Sequence, residues 1–176
     1  IDQYDKYLKI IDYKSSDKNL DISLAIQGFN IQMLLYLDSL TKQKKLEKGA
    51  LLYFNTKKRI LSSSKSIIEE ESDENFFKLY KMNGYVNEEI IEEIDNNIDK
   101  ESNIIKAKFV KKYDSYKGNI LSSFSFERLL AYVNKHIQDL YQELISGNIS
   151  ISPKGSDETT IHTKVNPCNY CNYKSL

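Results

Sequence analysis

The chain has 176 residues, 40% hydrophobic and 28% charged, with 25 basic residues matched by 25 acidic ones. This is the composition of one folded domain, large enough to bury about 70% of its unfolded surface, and it contains no apolar run of about 18 residues that would cross a bilayer as a helix. Zero net charge rules out holding a polyanion by overall attraction, so any contact with nucleic acid requires a local basic patch. Among the basic residues only Arg59 and Arg128 are arginines. Lysine serves as a phosphate point charge but reads bases poorly, so such a contact is expected to carry little sequence specificity.

Residues 7–14, Tyr-Leu-Lys-Ile-Ile-Asp-Tyr-Lys, are dense in β-branched and aromatic types and predict a strand. A turn cluster, Ser15 to Asn19, ends it. Asp21 is placed to cap a long helix over about 22–43, whose apolar positions Leu24, Ala25, Phe29, Ile31, Leu34, Leu35 and Leu40 predict burial on more than one side. Leu51 to Phe54 reads as a second strand, residues 61–75 as an exposed loop or small insertion, and Phe77 to Val86 as a strand pair or extended segment around Gly84. Asn87 then caps an acidic helix near 88–98 with Ile90, Ile91, Ile94 and Ile98 on its apolar side. Residues 104–112 alternate apolar with lysine, as a half-exposed strand does. Ser125 and Glu127 open a helix whose Leu129, Leu130, Val133, Ile137, Leu140, Tyr141 and Leu144 follow one buried face, ended by Gly147 and Asn148. Residues 149–152 read as a short strand before a polar tail. The whole predicts a mixed α/β domain.

The chemistry concentrates at the end of the first strand. Side chains alternate along a strand, so Asp12 and Lys14 point the same way. A carboxylate beside an ammonium suits metal-dependent phosphodiester cleavage: the carboxylate holds Mg²⁺ or Mn²⁺, and the lysine steadies the attacking hydroxide or the phosphate. Taken alone, Asp-x-Lys is also a common charge pair on an exposed strand edge. Its context adds weight, because the following helix carries Gln32 and Tyr36 four apart on one face; alone, those two are an ordinary polar pair.

The string Ile10-Ile11-Asp12-Tyr13-Lys14-Ser15-Ser16, followed by the Gln32-x-x-x-Tyr36 helix, resembles the RecB-type family of PD-(D/E)xK nucleases. Within it the resemblance is to the AddB branch and spans nearly the whole chain. It includes the Gly28 to Leu37 helix core, Gly49 to Phe54, Lys81 to Gly84, Ile149 to Pro153 and the tail Cys168-Asn169-Tyr170-Cys171. The resemblance implies a restriction-endonuclease-like α/β core, a mixed central sheet flanked by helices. It implies Asp12 and the Tyr13 backbone carbonyl as metal ligands for Mg²⁺ or Mn²⁺, Lys14 as the catalytic lysine, and Gln32 and Tyr36 as residues that position metal and DNA. It also implies a parent that is an ATP-dependent helicase–nuclease subunit working on single-stranded DNA in double-strand-break repair, with an AddA helicase–nuclease partner; the cytoplasm is expected separately, because two cysteines as close as Cys168 and Cys171 argue against a secreted disulfide framework. No Gly-x-x-x-x-Gly-Lys-[Ser/Thr] occurs here, so the ATPase motor is expected elsewhere.

Two elements of that family pattern are expected to lie outside this stretch. Ile1-Asp2 looks like the end of the run that carries the first acidic ligand, and Asp2, ten positions before Asp12, is judged too close to replace it. One carboxylate and one carbonyl hold Mg²⁺ weakly, so the stretch by itself is expected to be inactive or nearly so. Cys168 and Cys171 read by themselves as zinc, redox or incidental. The resemblance makes them two of the four thiolates of a [4Fe–4S] cluster in the parent protein, with the cluster absent here.

The expected organisation is a single nuclease-domain fragment. Residues 1–43 hold the catalytic strand and motif helix, 44–123 an insertion and additional strands, 124–152 the C-terminal helix and strand, and 153–176 the cysteine-bearing tail. A stand-alone Cas4-like iron–sulfur nuclease and a non-catalytic scaffold for DNA or a partner are the rival readings. His136 and His162 are expected to be structural or exposed, and Glu88, Glu89, Glu92, Glu93 and Asp95 a solvated helix face. Lys106, Lys108, Lys111 and Lys112, with Tyr113 and Tyr116, form either a DNA-backbone patch or an ordinary exposed strand face.

Overall fold

Alternation along residues 7–14 sets the architecture. Leu8 and Ile10 are buried on one side of this strand while Tyr7 packs on the other, so the strand has apolar neighbours on both faces and must lie inside a two-sided sheet. The computed structural model describes residues 1–57, 77–96, 98, 101–150 and 172. In it, β1 (Asp2–Tyr4), β2 (Tyr7–Lys14), β3 (Glu47–Asn55), β4 (Asn83–Asn87) and β7 (Ile120–Leu121) form one five-stranded mixed sheet in the order β1-β2-β3-β4-β7. β1 runs antiparallel to β2, β2 parallel to β3, β3 antiparallel to β4, and β4 parallel to β7. A separate antiparallel hairpin joins β5 (Ala107–Val110) to β6 (Ser115–Gly118). The sheet-plus-helix architecture is the α/β restriction-endonuclease-like fold expected from the sequence. β3 and β4, within 44–123, are central strands of it.

Helices α1 (Ile22–Ile26), α2 (Gln32–Lys44) and α4 (Ser123–Ile145) cover one face of the sheet. Their core joins Leu8, Ile10 and Leu51 of the strands to Leu34, Leu37, Phe126 and Val133. The opposite face packs Ala50, Leu52 and Val86 against Ile90, Ile91, Ile98 and Ile105. α3 (Ile91–Ile94) belongs to this second layer.

Several elements differ from their sequence reading. The helix expected over 22–43 is two helices. Asp21 does cap the first, accepting from the Ser23 and Leu24 N–H groups at 2.8 and 3.3 Å. Gly28 (φ +90°) and Asn30 (φ +55°) then break the chain direction. The break brings Gly28 so close to α4 that a Cβ there would sit 2.7 Å from His136 Nε2, a packing constraint that periodicity does not reveal. Of the segment 77–86, residues 77–79 form a helical turn and only the end enters a strand. There Gly84 is required: at φ +138° its Cα approaches β3 so closely that a Cβ would lie 1.9 Å from the Leu51 carbonyl oxygen.

The acidic helix is shorter than 88–98. Asn87 accepts from the Glu89 N–H at 3.0 Å, a 3₁₀ turn follows, and α3 ends at Ile94. Asp95, expected on a solvated face, is instead buried and accepts from the Ser102 hydroxyl at 2.6 Å and the Asn103 N–H at 3.2 Å. The long helix starts at Ser123, capped by Ser122 rather than opened at Ser125. Its apolar face is buried through Val133 and half-buried at Ile137, but Leu140, Tyr141 and Leu144 are exposed because the helix projects past the sheet. Ile149 and Ser150 lie in no strand. The expected loop at 61–75, the rest of the 149–152 strand, His162 and both cysteines fall outside the described residues.

Leu34 is fully buried where α2 meets the sheet. Leu34→Ala is expected to lower the stability of the chain by about 2–5 kcal/mol, measured by urea unfolding; a loss below about 1 kcal/mol would mean that α2 is not seated on this face.

Candidate active site

The face that buries Leu8 and Ile10 continues along β2 to Asp12 and Lys14, and there the helices no longer cover it. The two side chains form an ion pair, Lys14 Nζ to Asp12 Oδ2 at 2.8 Å, with about a third of each exposed (36% and 31%). β2 and β3 are in register so that Asp12 lies beside Tyr53 and Lys14 beside Asn55, and β3 in turn sets Tyr53 beside Asn83 of β4. The strand ends therefore present Asp12, Lys14, Tyr53, Asn55 and Asn83 on one surface. The Lys14 ammonium also lies 6.0 Å from the centre of the Tyr53 ring.

α2 begins beside this surface. Gln32 is its first residue and Tyr36 lies one turn on, and the Gln32 amide donates to the Tyr36 hydroxyl at 2.8 Å. Hydrogen bonding to Asp12 raises the Lys14 pKa above its ordinary value of 10.5; burial opposes the rise, and Asp12, Tyr53 and Tyr36 add to it electrostatically. Because α2 returns the chain from β2 to the parallel strand β3, its first turn lies at the strand end that carries Lys14. Burial first, then the charge of Asp12, raises the Tyr53 hydroxyl pKa, while Lys14 lowers it. Lys14 thus keeps its positive charge and Tyr53 its proton at neutral pH. The surface offers a cation, hydroxyl and amide donors, and one carboxylate acceptor, a set suited to a phosphate group.

Tyr13, between the two charged residues, turns its ring to the opposite face of the sheet, where it meets Phe54 edge-on at 5.7 Å. Its carbonyl has a different disposition. Because the Lys14 carbonyl accepts from Thr56 N–H on the β3 side, the alternation of a parallel ladder directs the Tyr13 carbonyl to the other edge of β2. β1 covers that edge only as far as Lys9. Asp2 lies opposite Lys9 and is ion-paired to it at 2.8 Å, so it is engaged away from Asp12.

Sequence reading missed Tyr53, Asn55 and Asn83. Asn55 is buried and donates to Asp17 in the turn after β2. Asn83 has a buried side-chain oxygen without a hydrogen-bond partner. Alternation from buried Leu51 does put Tyr53 and Asn55 on the core side, but only the strand register puts them beside Asp12 and Lys14. A divalent metal site would require several oxygen ligands, and among the described residues no group of three His, Cys, Asp or Glu side chains is arranged to hold a metal. Asp12 and the Tyr13 carbonyl fall short of the near-octahedral oxygen set of Mg²⁺.

The model of the PD-(D/E)XK nuclease superfamily matches residues 1–176. The chain belongs to that superfamily. Among curated relatives, the B subunit of the ATP-dependent helicase/deoxyribonuclease of Clostridium kluyveri is 32% identical over 97% of this chain and 15% of its own length. The protein of the same name from Clostridium tetani is 32% identical over all of this chain and 16% of its own length. That of Clostridium perfringens is 31% identical over the same shares. The chain therefore spans about one-sixth of the length of these relatives. Within this superfamily domain, Asp12 and Lys14 lie at the C-terminal end of β2, beside the parallel strand β3, where open α/β sheets commonly place their sites.

Because the Lys14 pKa is raised in the folded chain, its pairing with Asp12 stabilises the fold fully below pH 10.5 and loses that effect as pH rises through the folded value. The Asp12→Asn substitution is expected to lower the Lys14 titration midpoint, followed by NMR of its ε-carbon. An unchanged midpoint would show that the ion pair does not form in solution.

Proposed function

We propose that this chain is the nuclease domain of the B polypeptide of a helicase/deoxyribonuclease and that its strand-end surface cleaves phosphodiester bonds of single-stranded DNA. The observation that carries the reading is the Asp12–Lys14 pair, open to solvent at 2.8 Å beside Tyr53 and the Gln32–Tyr36 pair, in a domain of the PD-(D/E)XK nuclease superfamily. Lys14 would bind the non-bridging oxygens of the phosphate and the negative charge that grows on them as water attacks phosphorus. Tyr36 and Tyr53 would donate around the same group, and Gln32 would hold the Tyr36 hydroxyl in place. Hydrolysis joins the water oxygen to phosphorus and releases the sugar oxygen with a proton.

Divalent metal ions, Mg²⁺ or Mn²⁺, supply charge neutralisation to this kind of chemistry. In the reading proposed here Asp12 and the Tyr13 carbonyl are part of such a site and a further acid comes from outside this stretch. The β1–β2 register supports that placement, since an upstream continuation of β1 would run alongside Ile10 to Asp12. Cys168 and Cys171 would contribute to a [4Fe–4S] cluster of the parent protein, and an AddA-type helicase–nuclease would be its partner. The similarity to the clostridial helicase/deoxyribonuclease relatives, which covers nearly the whole chain, favours this parent over a stand-alone Cas4-like enzyme. The incomplete carboxylate set favours one second reading, a domain that binds DNA without cutting it.

In the intact parent protein, Lys14→Ala and Asp12→Ala are each expected to reduce Mg²⁺-dependent digestion of a labelled single-stranded oligonucleotide by at least about 100-fold, while the isolated 176-residue stretch digests little or none. Undiminished digestion by Lys14→Ala would refute the assignment. An unaltered parent that binds the oligonucleotide without cutting it would establish the binding-only reading.

A further inference from the structure

The sheet face opposite Asp12 and Lys14 carries a second feature. The Tyr13 ring, 66% exposed, contacts Phe54, and Phe54 stacks on Tyr80 with ring centres 6.2 Å apart and planes 20° from parallel. Phe54 and Tyr80 line a cavity of about 380 Å³ together with Phe77, Met82, Asn103 and Ile104. It opens to solvent, for Phe77 is 58% and Ile104 40% exposed. Among the described residues the lining has three aromatic rings, Met82 and Ile104, and the Asn103 amide.

A cluster of lysines lies close to these lining residues in the chain, although the chain as a whole is neutral. Lys81 pairs with Glu101 at 2.6 Å; its hydrogen bond first, then its charge and those of Lys78 and Lys108, hold the Glu101 carboxyl below its ordinary range. Lys108 and Lys117 stand directly opposite each other in the β5–β6 hairpin, an arrangement that is unfavourable by itself. Glu101, Lys106, Lys108 and Lys117 line a second cavity of about 170 Å³, Glu101 standing just before Asn103 in the chain and Lys106 just after Ile104. Four or more lysines thus gather around one glutamate next to an aromatic pocket. Lysine is depleted at protein–protein interfaces, whereas a basic cluster beside aromatic faces suits a single nucleic-acid strand.

We propose that this pocket is a nucleobase-binding subsite for single-stranded nucleic acid. A base stacks on the Phe54, Tyr80 and Phe77 faces, the Asn103 amide bonds its polar edge, and Lys108 and Lys117 take flanking phosphates. Tyr13 links it to the strand-end surface, since it is the residue next to Lys14 in β2 and its ring meets Phe54 of the pocket at 5.7 Å. The proposal rests on the reading of the chain as a DNA-cleaving domain and adds the path of the substrate across the sheet end.

The test measures binding of the full chain, by fluorescence anisotropy, to an oligothymidylate and to an equally long strand with abasic sites. Phe77→Ala and Tyr13→Ala, both at exposed rings, are expected to weaken oligothymidylate binding about tenfold and to leave the abasic strand unaffected; Lys14→Ala is expected to weaken both strands. Should Phe77→Ala lose its native circular dichroism, Tyr13→Ala decides. Equal affinity of the unaltered chain for the two strands, or oligothymidylate binding that depends on Lys14 but not on either ring, would overturn the subsite and leave the nuclease reading standing. Failure of both strands to bind would overturn both.

Discussion

The period-two alternation of β2 is the constraint on which everything else depends. Leu8 and Ile10 are held under the helices, and because a one-residue slip would turn them to the opposite face and put Lys9 and Ile11 under the helices instead, the strand has one permitted register. That register also fixes Asp12 and Lys14 on the helix side and Tyr13 on the other. Two charged groups are thereby brought to 2.8 Å at the point where helical cover ends. The hydrophobic core thus aims the polar residues: burial of two leucine-sized side chains stabilises the geometry of a site that contributes little to stability itself.

The neighbouring strands extend this logic. Gly84 lets β4 approach β3 at a position no side chain would allow, and that approach places Asn83 beside Tyr53, in turn beside Asp12. α2, seated through Met33, Leu34 and Leu37, starts with Gln32 at the same end of the sheet. The sheet consequently has two distinct faces at one end. One presents a cation, a carboxylate and hydroxyls; the other presents an aromatic pocket. A strand of nucleic acid, whose phosphates and bases differ in polarity, matches that division.

Local signals made part of this legible in the sequence. Residues 7–14 are legible as a strand because β-branched and aromatic residues are dense there, and Asp21 caps a helix because its carboxylate reaches two free N–H groups. The Asp12–Lys14 and Gln32–Tyr36 pairs are close because each depends only on the spacing within one element. What escaped depends on contacts between elements. The helix break at Gly28 answers to His136 on α4, and Asp95 is buried because a later loop brings Ser102 over it. Tyr53 and Asn83 join the site through pairing between strands distant in sequence. The exposed end of α4 has the periodicity of a buried helix but no sheet beneath it.

The central claim, that the end of β2 is where a phosphodiester is held, is tested most directly by NMR of the chain with its lysine side chains labelled, titrated with a short single-stranded oligonucleotide. The Lys14 ε resonances are expected to shift progressively and to saturate, while those of Lys42, paired with Asp38 elsewhere on α2, stay in place. A Lys14 signal that does not move while other lysines do would contradict the claim.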